Sequence, residues 1–135
     1  MKSGIEQRAA AVLSARPHLI ADVKLYPTEE GGAKQAKLPG WGCLCCTSKN
    51  ASVVGKDGVS RLFGYDGWPQ LNASFAPGER RRLGFVFLLP ANEAAIALQS
   101  VGTFYLWEGR FIGEAVIVAE SLDQAGNTPS VSLRG

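Results

Sequence analysis

Histidine is almost missing from this chain: His18 is the only one. It follows Pro17 directly, and nothing in the sequence pairs it with a serine or cysteine nucleophile. One imidazole also leaves a tetrahedral zinc site short of ligands. There is no Gly-x-x-x-x-Gly-Lys-Ser/Thr segment, so a phosphate-cradling loop, and with it a nucleotide cofactor or GTPase activity, is not expected. No apolar run approaches the roughly 20 residues of a membrane span. The N-terminus is charged but has no apolar core behind it, which predicts a cytoplasmic rather than an exported protein. A net charge of +2 is too weak to imply a polyanion partner by itself. Cysteine is limited to three residues, Cys43, Cys45 and Cys46. An odd number packed so tightly cannot build a disulfide framework and suits a reducing compartment. In that setting the two Asn-x-Ser triplets at Asn50 and Asn72 are chance matches to a glycosylation signal.

What is present is ordinary globular material. Hydrophobic residues make up 46% of the 135 and charged residues 19%, enough for one domain with a sizeable core. Ser3 and Glu6 have capping-box spacing, and Ile5, Ala9, Val12 and Leu13 form one stripe of a helix that Pro17 ends. That stripe either packs on the body of the domain or binds a partner. From Leu19 to Tyr26 the period changes to two, with Leu19, Ala21, Val23 and Leu25 on one face. Residues 28–42 read as a loop. Further strands are predicted over Cys43–Thr47, Val59–Tyr65, Arg80–Leu89, Thr103–Glu108 and Phe111–Ala119. Asp66, Gly67 and Pro69 read as breakers around Trp68, and residues 91–101 as one or two helical turns stopped by Gly102. Gly109 marks a tight hairpin turn. The division is thus a helix over 1–17, a β domain over 18–120 and a frayed tail over 121–135. The expected fold is all-β: a small antiparallel barrel or sandwich, and closing the sheet would remove edges that strands this apolar otherwise expose.

Several segments look familiar in order and spacing. Ala21-Asp22-Val23-Lys24-Leu25-Tyr26, Glu29-Glu30-Gly31-Gly32 and Gly40-Trp41 resemble the opening of the C-terminal barrel of elongation factor Tu. Ala76-Pro77-Gly78-Glu79 is similar to that family's Met-Pro-Gly-Asp segment. The stretch from Phe104 to Ile117 resembles its closing hairpin, with Glu108, Gly109 and Arg110 matching the hairpin-loop motif. The resemblance spans Ala21 to Glu120 and implies a closed six-stranded antiparallel Greek-key barrel. In that family the barrel helps to hold the acceptor and T-stem side of aminoacyl-tRNA and touches the GTPase domain and its exchange factor. A translation-associated RNA or protein partner is therefore what the resemblance implies. The GTPase domain and the middle barrel have no counterpart here.

The chemistry-bearing residues point to binding rather than catalysis. On a strand Cys43 and Cys45 face one way and Cys46 the other, so the three cannot converge on one ion without a bulge. They are expected to be buried strand thiols, with a reactive thiol or a redox role as the alternative. No catalytic residue, metal or cofactor is expected. Arg80-Arg81-Arg82 is the densest charge run, with Arg80 and Arg82 sharing a face. With Lys34, Lys37, Trp41, Trp107 and Arg110 these could form a basic surface with aromatic platforms, as RNA binding requires. The opposing reading is a solvated strand entry with ordinary core tryptophans. The candidate function is thus a non-catalytic module for tRNA or another RNA, and the alternative is a protein–protein module of the inhibitor or immunity type.

Overall fold

The alternation that suggested strands becomes the inside and outside of a cylinder. The computed structural model describes residues 4–50, 52–88 and 91–118. Helix α1 (Gly4–Ser14) precedes β1 (Leu19–Leu25), a short 3-10 turn (Thr28–Glu30), β2 (Cys43–Cys46), β3 (Ser52–Val54) and β4 (Ser60–Leu62). Then follow β5 (Tyr65–Pro69), β6 (Arg80–Phe87), α2 (Ala91–Val101), β7 (Thr103–Trp107) and β8 (Phe111–Ile117). Six strands close an antiparallel barrel in the order β1-β6-β5-β2-β7-β8. Strands β2, β5 and β6 run side by side and β1 returns to lie next to β6, a Greek key. Strands β3 and β4 form a separate two-stranded ribbon.

The inward residues of each strand fill the barrel. Leu19, Ala21, Val23 and Leu25 of β1 meet Leu83, Phe85 and Phe87 of β6, and Cys45, Phe104, Leu106, Ile112 and Ala115 complete the cluster. Phe85 packs edge-on against Phe104 at 5.2 Å between ring centroids. Ala94 and Leu98 of α2 join the same core. At the mouth where β6 begins, Arg81 has the inward parity and acts as a polar stopper. Its guanidinium donates to the carbonyls of Ala73 (3.2 Å) and Ser74 (2.8 Å) and lies 4.7 Å above the Phe75 ring.

Three expectations need correction. Tyr65–Pro69 is not a break but barrel strand β5, paired with β2 through Gly67 opposite Cys43 and with β6 through Gly67 opposite Phe87. Tertiary pairing overrides the turn-forming residues, and Pro69, which has no N–H to give, stands at the strand's last position. The strand expected over Val59–Tyr65 is instead split between the ribbon strand β4 and the start of β5, and its ribbon partner β3 was not foreseen. Helix α2 runs for 11 residues, longer than the one or two turns expected.

The helical stripe is realised only in part. Val12 is buried, whereas Leu13 is 43% exposed. What fastens α1 is polar: the Gln70 amide donates to the carbonyls of Val12 (2.8 Å) and Ala15 (2.7 Å), capping the helix C-terminus from the far end of β5. Ser3 of the expected capping box, Leu89 and the tail over 121–135 lie outside the described residues.

Candidate functional site

The seven residues singled out by sequence do not converge on one surface. The barrel separates them into three places on its outer wall.

Arg80 and Arg82 belong to the first, a groove of about 470 Å3 across β6, β1 and β8. The register sets Asp22 directly opposite Arg82, and the guanidinium grips the carboxylate through two bonds of 2.7 and 3.2 Å. The hydrogen bonds from Arg82 hold the Asp22 carboxyl below its ordinary range. Both side chains are more than half exposed, so the pair adds little stability; its effect is to cancel the charge of Arg82. Arg80 and Lys24 remain on the groove, and Glu114 provides a second carboxylate in its lining.

Lys34, Lys37, Trp41 and Arg110 lie around Glu108. Gly109, at φ +76°, makes the β7–β8 turn, and the Glu108 N–H donates to the Arg110 carbonyl at 2.8 Å. The turn presents the Glu108 carboxylate to the 28–42 segment. There Lys37 pairs with one oxygen, and the Trp41 indole N–H donates to the other at 3.3 Å. The Lys37 ammonium also lies 5.5 Å from the Trp41 ring centroid. Lys34 and Arg110 line a concavity of about 300 Å3 beside this cluster. Sequence reasoning gave Glu108 weight only as part of a hairpin motif; here it is the hub that ties the long loop to the barrel.

Trp107 lies on the outward face of β7, on the other side of the Glu108 hub. It shares a groove of about 490 Å3 with Trp68, Leu44, Asp66, Glu108 and Arg8. Trp68 was missed because Asp66 and Gly67 beside it read as a turn. Its half-buried indole lies against the chain entering β2, where a Cβ on Gly42 would stand 2.5 Å from the indole nitrogen. Glycine at 42 is therefore what lets that ring lie down on the wall. Arg8 brings α1 to the same groove.

The remaining chemistry is structural. The sole imidazole is tied into the β1–β6 junction, its Nδ1 accepting the Phe87 N–H at 3.1 Å. All three thiols are buried and unbridged. Cys43 and Cys45 enter the barrel core while Cys46 faces the other way, as the strand alternation predicts. Burial pushes the Cys45 thiol well up and that of Cys46 to about 11, with the neighbouring Cys43 adding to both shifts. Thiolate nucleophilicity is thereby suppressed at neutral pH. Among the described residues, no group of three or more His, Cys, Asp or Glu side chains could hold a metal ion. None of the described helices is long and apolar enough to cross a membrane. No protein-family model matches the chain, and no curated protein does either.

Proposed function

We propose that this barrel is a non-catalytic binding module whose partner is a protein, held on the outer wall of β5, β2 and β7. The observation that carries the proposal is the pairing of Trp68 and Trp107 across one groove rimmed by Arg8, Asp66 and Glu108. Half-buried indoles flanked by arginine are the residues that dominate protein–protein contacts, because they bury much area at little cost in side-chain freedom. The charge balance argues in the same direction. Lys37 and Arg82, two of the five cations expected to face phosphates, are already engaged by carboxylates of this chain. A phosphate track would need those charges free. Three unbridged thiols support a cytoplasmic setting.

The RNA reading, with its implied kinship to the elongation factor barrel, keeps one supporting observation: Arg80 and Lys24 share a groove with Arg82. One experiment separates the two. The full chain and its Trp107→Ala variant are immobilised and exposed to nuclease-treated extract from its own source cells, and in parallel to bulk tRNA at low and high salt. A protein retained at high salt by the parent chain and lost from Trp107→Ala supports the proposal. Capture of tRNA with steep salt dependence, unchanged by Trp107→Ala and weakened by Arg80→Ala, would replace it with the RNA reading.

A further inference from the structure

On the wall formed by β7, β8 and the end of β1, three outward aromatic side chains surround a cation. Tyr26 extends one residue beyond β1, Tyr105 lies on β7, and Phe111 opens β8; all three are half-buried. The Lys49 ammonium sits 4.9 Å from the Tyr26 ring centroid, 5.4 Å from that of Tyr105 and 5.8 Å from that of Phe111. The Tyr105 and Phe111 rings stand nearly perpendicular, at 83°, so they form two walls of a box rather than a stack. The Tyr26 hydroxyl donates to Glu114 Oε1 at 2.9 Å, which fixes the ring and brings a carboxylate to the rim. The register sets Glu114 opposite Tyr105. These residues come from β7, β8 and the position just after β1, and no spacing in the sequence would have assembled them.

We infer that this box is a binding site for a quaternary ammonium group and that Lys49 is its internal occupant. Ring faces attract any cation, but a primary ammonium keeps a strong claim on water, which exposed Lys49 can satisfy by withdrawing. A trimethylated ammonium has no N–H to hydrate, and its methyl groups fill the space between the rings, so it gains more from the box than Lys49 does. Lys49 is carried by the exposed residues 48–50 that follow β2, so its departure disturbs no core contact. The ligand is a trimethylated lysine side chain or a small choline-type cation. The site stands independently of the tryptophan groove and of its partner.

The test is an NMR titration of the 15N-labelled full chain with N-acetyl-trimethyl-lysine methylamide. Choline, the unmethylated lysine derivative and the neutral carbon isostere of the trimethyl group are run as parallel arms. We expect shifts confined to the amides around Tyr26, Tyr105, Phe111, Glu114 and the displaced Lys49. The Lys49→Ala variant should bind tighter, by about threefold if Lys49 fills the box roughly two-thirds of the time, because an internal occupant lowers apparent affinity by the free fraction. Phe111→Leu, which keeps apolar volume but removes a ring face, should weaken binding. Tighter binding of the lysine derivative than of choline identifies a methylated side chain as the ligand, and the reverse order a small cation. Equal binding of the neutral isostere, preference for the unmethylated lysine, or no saturable shift in Lys49→Ala would overturn the inference.

Discussion

Replacing Gly67 by alanine puts one methyl group into the filled barrel and tests the packing from which every outer surface takes its place. A Cβ at this position would stand 2.8 and 2.9 Å from the edge of the Phe87 ring and 3.1 Å from Cys45 Sγ. Neither neighbour has room to retreat. Cys45 is fully buried, and Phe87 is 5% exposed with Phe85 and His18 at its flanks. Overpacking of this kind costs about 1–3 kcal/mol, partly offset by up to about 1 kcal/mol from the smaller entropy of the unfolded alanine chain. The net expectation is a loss of about 1–2 kcal/mol, or roughly 4–8 °C in Tm for a domain of this size. Urea denaturation with an unchanged m-value gives the number. A double-mutant cycle with Phe87→Leu, which clears space beside the added methyl, should return a favourable coupling of about 0.5 kcal/mol or more. A Gly67→Ala protein as stable as the parent, or additive effects in the cycle, would refute the account of a plugged interior and of β5 as a barrel strand.

Other consequences are equally direct. Gln70→Ala removes both side-chain bonds to the end of α1, so amide exchange should rise sharply within Gly4–Ser14 while the barrel strands stay protected. Equal protection of the helix in the variant would mean that contacts other than these two bonds dock it. The thiols predict an alkaline limit. Burial pushes the Cys46 thiol up from its ordinary value to about 11, so folding favours its protonated form; stability is fully present below pH 9 and falls as the pH rises towards 11, by on the order of 2 kcal/mol from this group. Urea midpoints at pH 8 and pH 10.5 measure the fall, and Cys46→Ala should lessen it without abolishing it, because the buried Cys45 thiol, also pushed up, remains. Ellman's reagent at pH 8 should find all three thiols unreactive until urea is added, which would also end a redox role for them.

How far the sequence revealed the fold depended on where side chains point. Strands with strict alternation, β1 and β6 above all, were legible because burial on one face leaves a period of two. Strand β5 was hidden because the residues that make it fit also look like breakers: Gly67 is small to spare Phe87, and Pro69 closes the strand without a hydrogen to give. Ribbon strand β3 is three exposed residues whose pairing comes only from its partner. The sites were less legible still. Outward residues on neighbouring strands meet through register, which single-sequence spacing does not encode. Arg82 and Lys37 read as free cations because Asp22 and Glu108 lie 60 and 71 positions away in the chain. Trp68 and Lys49 gave no signal before the strands were closed into a ring.

The ribbon of β3 and β4 carries a practical consequence. It leaves the barrel after β2 and returns at β5, and these two strands are immediate neighbours, with Cys45 facing Tyr65. The excursion therefore spans almost no distance at its base, and lengthening it adds only a slowly growing closure cost. Foreign peptides grafted at its tip, around Asp57-Gly58, would be displayed on a cylinder whose staves never register their presence.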